Sequence, residues 1–177
     1  MNDILHYTGH RTKLEERRVF QEINPDDNRR PDITVYNPSN TVAARLLLDI
    51  SITSPLTGYT GGNFPVGSAA KARFNEKMNN YGAAAAQQGF SFLPIIFEST
   101  GFVHPETQRY IRQLAVLGSD QRGISADNLY AYFLKRLMAS LQDGIANSLI
   151  ERTAKVNSQC SAMACDPSYS ISAILDA

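Results

Sequence analysis

The sequence predicts an α/β fold, helices sandwiching a sheet, on three observations. Short runs rich in aliphatic and β-branched residues, at 33–36, 44–53 and 92–98, read as strands. Longer segments between and after them repeat apolar residues at helical spacing. The predicted elements follow one another as α-β-β-α-β-α, with a C-terminal helical extension beyond them.

In chain order, a first helix is expected over 11–23, with Leu14, Arg17 or Arg18, Phe20 and Ile23 on a partly apolar face and Pro25-Asp26-Asp27-Asn28 ending it. Residues 33–36 form a strand, Asn37-Pro38-Ser39-Asn40 a turn and 44–53 a longer strand, together a hairpin. The stretch 54–68 is rich in Pro, Gly and Thr, includes Gly61-Gly62, and reads as a functional or mobile loop. A helix over 69–88 is closed by Gly89, a strand follows over 92–98, and a helix over 106–117 carries Tyr110, Ile111 and Leu114. The last helix, after Ser125, carries Leu129, Phe133, Leu137, Leu141, Ile145 and Leu149 in steps of four, with Gly144 as a break point. Beyond Val156 the chain is Ser-rich and expected to be irregular. The expected division is a core over 1–120, a helical extension packed on it over 121–157 and a tail over 158–177.

Composition excludes several classes. The 177 residues suit one domain, and 17 basic against 17 acidic side chains exclude binding of nucleic acid by net charge alone. No apolar run approaches the roughly 20 residues a bilayer span requires, so no membrane partner is expected. The N-terminus lacks the pattern of a secretory signal, and the two cysteines, Cys160 and Cys165, lack companions for a zinc site. An intracellular location is expected, nuclear in a eukaryote and otherwise cytoplasmic. Phosphate-binding Gly-rich loops and nucleophile elbows are absent from the sequence.

The informative residues are charged groups in apolar settings. Alternation along the second strand puts Leu46, Leu48, Ile50 and Ile52 on one face and Leu47, Asp49, Ser51 and Thr53 on the other. Aspartate is rare in strands, so Asp49 requires either solvent or a cation. Asp32 opens the neighbouring strand directly after Pro31, as a turn residue or as a second carboxylate converging on one divalent metal. On the following helix Ala70, Phe74, Lys77, Tyr81 and Ala84 share a face, so Lys77 interrupts an apolar stripe. It either snorkels to solvent or is neutralised by carboxylates or a phosphate; Tyr81 either packs or hydrogen-bonds the same group.

Arg30-Pro31-Asp32-Ile33, Leu46-Leu47-Leu48-Asp49-Ile50-Ser51-Ile52 and Lys77-Met78-Asn79-Asn80-Tyr81 resemble the R-P-D, hydrophobic-strand-D and K-x-x-x-Y motifs of restriction-like endonucleases encoded by site-specific non-LTR retrotransposons. These enzymes belong to the PD-(D/E)xK superfamily. The similarity covers roughly residues 5–117 and extends to eukaryotic genes carrying related R-P-D, D-x-S-x-x-S-P and K-x-x-Y-like motifs. It implies a restriction-endonuclease-like core with a central mixed sheet, and a metal-dependent endonuclease that hydrolyses DNA phosphodiester bonds.

The resemblance implies that Asp32 and Asp49 bind Mg2+ or Mn2+, that Lys77 orients water or stabilises the transition state, and that Tyr81 places Lys77 or a phosphate. Gly9-His10-Arg11 is the counterpart of a K/R-H-D/N element, with Arg11 at the acidic or amide position; His10 is a further candidate. Ser51 stands where many members of the superfamily carry the signature lysine. Glu98, at a strand end, and Glu15 or Glu16, on the first helix, are further candidate carboxylates. Arg11, Lys13, Arg17, Arg18, Arg29, Arg30, Lys71 and Arg73 flank the site as DNA contacts or, interleaved with acids, as solvated surface. Zero net charge points to a homodimer, a larger polypeptide or a structure-specific DNA substrate. Two alternatives stay open: an inactive nuclease-like fold serving as a protein- or nucleic-acid-binding module, and a structural role for a buried Asp, Asp, Lys cluster.

Overall fold

Four segments of extended backbone pair into one mixed sheet, three of them with buried side chains and the first an exposed edge strand. The structure is a computed structural model that describes residues 1–21, 24–36, 45–56 and 65–164, the side chains of 159–164 excepted. The strands are β1 (Arg11–Leu14), β2 (Ile33–Tyr36), β3 (Arg45–Thr53) and β4 (Ser91–Glu98), in the order β1-β2-β3-β4. β1, β2 and β3 pair antiparallel, and β3 pairs parallel with β4. The fold is therefore mixed α/β.

A parallel pair needs a crossover. Here the connection carries α2 (Ser68–Lys77), a π-helical turn (Met78–Gly82) and α3 (Ala83–Gln87). α1 (Asn2–Tyr7) precedes the sheet, and α4 (Pro105–Arg122) and α5 (Ala126–Ala164) follow it. The chain divides into two compact units, Met1–Met138 and Ala139–Ala177. Among the described residues, no helix is long and apolar enough to cross a membrane.

β3 is covered on both faces, which explains its consecutive buried Leu46, Leu47 and Leu48. Leu47 packs with Val19, Phe20 and Ala85, against which Tyr81, Phe90 and Phe92 also lie. The opposite parity is buried as well at Ile33, Val35, Leu48 and Ile95. α4 packs along β4 and buries Ile111 and Leu114. The free edge of β4 is taken up by the chain's own return, through the Phe97–Val103 bridge and the His104 N–H bonded to the Ile96 carbonyl at 3.1 Å.

The N-terminal expectation requires correction. The described part of the expected helix, residues 11–21, is not helical: Arg11–Leu14 is the edge strand β1, and the helix lies earlier, at Asn2–Tyr7. Glu15 and Arg18 hold φ of 44° and 66°, left-handed conformations that stop a right-handed helix twice within one turn. Glu16, Arg11 and Lys13 therefore belong to a strand and its turn. The element order becomes α-β-β-β-α-β-α-α when α2 and α3 are taken as one rod. α5 passes Gly144 without a break and continues to Ala164, beyond the expected start of the tail at 158. Ile23, the turn 37–40, Ala44, Gly61-Gly62 and Cys165 lie outside the described residues, as does the Cys160 side chain.

The β1 turn is anchored by Glu16. Its Oε1 accepts hydrogen bonds from the Tyr36 hydroxyl at 2.8 Å and from Lys13 Nζ at 3.1 Å. Burial opposes ionisation of this carboxyl, but the Tyr36 and Lys13 hydrogen bonds prevail and hold it below the ordinary carboxylate range. Tyr36→Phe is expected to cost about 1–2 kcal/mol in denaturant titrations at neutral pH. A depressed folded-state pKa stabilises above the unfolded value and is lost as pH falls through the folded one, so the deficit should shrink in acid. A pH-independent deficit would assign Tyr36 to packing alone.

Candidate functional site

The β2–β3 register sets the first relationship. Ile33, the first residue of β2, faces Leu48; Asp32 immediately precedes Ile33 and Asp49 immediately follows Leu48, close enough for the Asp49 charge to act on the Asp32 carboxyl. The two carboxylates therefore share one end of the β2–β3 pair, and Asp49 projects from the face of β3 that carries Leu47 and Ser51. Pro31 is buried and fixes the entry of the chain, while the Glu15 N–H bonds the Asp32 carbonyl at 2.9 Å. Asp32 Oδ2 accepts the Ile50 N–H at 2.6 Å. This acceptor stands in for the backbone carbonyl that β2 no longer supplies to β3.

α2 crosses the same face, and its residues meet the sheet at every turn. Glu98 Oε1 accepts the Ala70 N–H at 3.0 Å, satisfying a free donor of the first turn. Arg73 Nε donates to Ser51 Oγ at 2.9 Å, Phe74 stacks on His104 at 4.2 Å, and Lys77 Nζ contacts Asp49 Oδ2 at 2.8 Å. Tyr81 then stacks on Phe92 at 5.2 Å. Four helical residues advance about 6 Å and two strand residues about 6.6 Å, so Arg73 and Lys77 fall over Ser51 and Asp49 without strain. The expected face of Ala70, Phe74, Lys77 and Tyr81 is the one that meets the sheet. Gly67 starts this helix at φ 82°, where a Cβ would lie 2.5 Å from the Phe102 ring.

The Lys77 contact with Asp49 is ionic: Oδ2 is buried, and its geometry to the ammonium lies outside hydrogen bonding, leaving that atom without a hydrogen-bond partner. Burial raises the Asp32 carboxyl above its ordinary range. The Ile50 N–H opposes that rise, Asp49 reinforces it, Lys77 opposes it and Glu15 reinforces it. Two carboxylates thus face one ammonium, and one buried oxygen lacks a donor. That donor set fits a hard divalent cation bound through one or two carboxylates, with water and phosphate completing its shell. Among the described residues, no group of three or more His, Cys, Asp or Glu gathers around a common point. Asp32, Glu15, Leu14 and Ile50 line an open cleft of about 510 Å³, which gives the Asp32 carboxylate access to solvent.

The remaining candidates fall in different places. Tyr81 belongs to a packing cluster: its ring contacts Phe92 and Phe20, with Lys77 Nζ at 5.4 Å and the Arg29 guanidinium at 5.5 Å from its centroid. Glu98 caps α2 about two helical turns, roughly 10 Å, from Lys77. His10 lies beyond Arg11, which pairs with Tyr36, at the opposite end of β1 from Asp32. Its ring bonds Thr8 Oγ1 at 2.9 Å, and burial pushes its pKa down. Glu16 sits beneath Tyr36, away from the paired aspartates. Glu15, exposed and bonded to Asp32 through its backbone, is the carboxylate nearer the site.

The cations also separate. Arg29 is an internal strut: it pairs with Asp27 through Nη2 at 2.6 Å, stacks on Phe20, and donates to the Asn80 carbonyl. Arg73 is committed to Ser51 and Glu76, Lys13 to Glu16, and Arg11 lies over the Tyr36 ring. Arg30 pairs with Glu15 at 3.3 Å in an exposed setting, and Lys71 is exposed on α2.

Because folded Asp32 binds its proton more tightly than the unfolded residue does, its ionised form costs stability. That cost is absent below the ordinary carboxylate range and complete above the raised folded value. Asp32→Asn retains an acceptor for Ile50 and should raise the melting temperature near neutral pH, with the gain vanishing in acid. A variant no more stable than wild type at neutral pH would show that the ionised carboxylate is fully compensated. In comparison with known proteins, no family model and no curated protein matches the chain.

Proposed function

We propose that the chain is a metal-dependent nuclease whose substrate is DNA, and that the β2–β3 hairpin, the α2 crossover and parallel β4 form a restriction-endonuclease-like core. The observation that carries the reading is the convergence of Asp32, at the entry to β2, and Asp49, on β3, with Lys77 reaching Asp49 from the crossover helix. Asp32 and Asp49 would hold Mg2+ or Mn2+. Such a cation supplies an activated water and neutralises charge that develops on the scissile phosphate.

The chain's own residues do the positioning. The Ile50 N–H fixes the Asp32 carboxylate. Lys77, held on the Asp49 side, presents an ammonium to an anionic reacting group in a site of low dielectric. The Tyr81 ring supports the Lys77 ammonium from below. DNA would approach through the open cleft at Asp32. A dimer or a larger polypeptide would add phosphate contacts to a domain of zero net charge.

A second reading is favoured by the Lys77–Asp49 contact itself, which is an ion pair without any metal: the cluster then serves the fold alone. Cleavage of labelled duplex, single-stranded and branched DNA with Mg2+ or Mn2+ separates the two. Wild type should cut, and Asp49→Asn and Lys77→Ala, shown to be folded, should lose roughly 10²–10³-fold in rate. Cutting unaffected by either change, or an absence of both cutting and calorimetric metal binding, would leave the structural or inactive reading standing. Under that reading Asp49→Asn mainly lowers stability, by about 3–5 kcal/mol.

A further inference from the structure

We infer that Arg17, Arg18 and Arg30 form a clamp for a backbone phosphate of a nucleic-acid strand, separate from the paired aspartates. These three residues, with Gln21 and Asn28, line a cleft of about 400 Å³ whose wall contains no acidic side chain among the described residues. Among the described residues, the Arg17 and Arg18 guanidinium groups make no ion pair or hydrogen bond. Arg30 has one partner, Glu15, in a pair about half exposed on both sides and easily exchanged for a stronger anion. A planar guanidinium matches two oxygens of a phosphate at once, and two of the three around this cleft, Arg17 and Arg18, keep their donors free of protein acceptors among the described residues.

The clamp is rigidly mounted. Val19 and Phe20, immediately after Arg18, are buried in the core. On the other wall Arg29 turns inward to Asp27, Phe20, Tyr81 and the Asn80 carbonyl, which turns its neighbours Asn28 and Arg30 toward the cleft. Arg18 itself is held at φ 66°, a conformation that costs a non-glycine residue about 1 kcal/mol and persists where the surroundings impose it. The identity of the anion rests on the nuclease reading, whereas the existence of an anion site does not. Arg30 precedes Asp32 by two residues, a reach of at most about 7 Å. A phosphodiester strand with one phosphate in the clamp is long enough to reach the carboxylates, and the occupant proposed is such a chain rather than a free small anion.

The test is fluorescence anisotropy of labelled single-stranded and duplex DNA in EDTA, so that binding is read without cleavage. Arg17→Ala/Arg18→Gly should weaken binding about tenfold or more at low salt and reduce the slope of log K against log salt by about 0.9 on duplex and about 0.7 on single-stranded DNA, the value for the one phosphate that is no longer neutralised. Glycine suits the left-handed position, so this variant should melt no lower than wild type. Lys135→Ala, on an exposed face of α5, is the control and should bind as wild type does. An unchanged slope in the double variant, or no DNA binding by wild type, overturns the inference. Calorimetric binding of inorganic phosphate that the double variant loses, with DNA binding intact, overturns it in favour of a small-anion site. Arginine-dependent DNA binding without metal-dependent cutting would remove the nuclease reading and leave the clamp. Cutting with unchanged binding would remove the clamp alone.

Discussion

Two aspartates brought close together at the border of an apolar layer concentrate negative charge that a nearby cation must offset. That constraint governs the placement of the crossover helix. β3 offers no cation beside Asp49, since the position two residues on is Ser51 and its one basic residue, Arg45, lies at the far end over the Tyr36 and Phe90 rings, so positive charge descends from outside the sheet. Lys77 supplies it, and only a helix at a defined height and rotation delivers Lys77 to Asp49. The Glu98 carboxylate at the first turn, the Arg73–Ser51 hydrogen bond and the Phe74–His104 stack set that height and rotation. Gly67 permits the helix to begin close against Phe102.

The same arrangement divides the basic residues into two populations that a net charge of zero conceals. Arg29, Arg73 and Lys77 point inward, each with a specific partner, and bind the loop before β2, the crossover helix and β3 into one body. Arg17, Arg18 and Arg30 point outward into a cleft. Arg29 links the populations: it lies between Phe20 and Tyr81, so the segment bearing the outward arginines leans on the π-helical turn that follows Lys77. Composition cannot express this division, because it depends on which guanidinium groups the fold has already used.

What was legible in the sequence followed from strong local periods. The β2–β3 hairpin, the polar face of β3 with Asp49, and the stripe of Ala70, Phe74, Lys77 and Tyr81 all reflect apolar residues recurring every second or every third to fourth position. Near the N-terminus the spacing of Leu14, Arg17 or Arg18 and Phe20 imitated a helical period and misled. β1 is an edge strand with exposed Arg11, Lys13 and Leu14, so its burial does not alternate, and the left-handed turns at Glu15 and Arg18 use residues that do not announce them. Glu98 read as a strand-end carboxylate because its partner, the Ala70 N–H, is 28 positions away in the chain. The separation of Arg29 from Arg30, adjacent and chemically identical, is a tertiary property throughout. The long C-terminal helix persists through Gly144, whose cost of about 1 kcal/mol is small beside a continuous run of helical hydrogen bonds.

The two margins of the sheet have unequal consequences for self-association. An unpaired strand is a template on which another chain can extend the sheet, the first step of edge-to-edge aggregation. Along β4 that template is occupied by the segment around Val103, so no backbone row is offered there over its covered length. β1 is the terminal strand on the other side, and it is four residues long and carries Arg11 and Lys13. An incoming copy of the same strand would bring like charges together along a very short ladder. The chain thus guards its sheet in two ways, by covering one margin and by electrostatic refusal at the other.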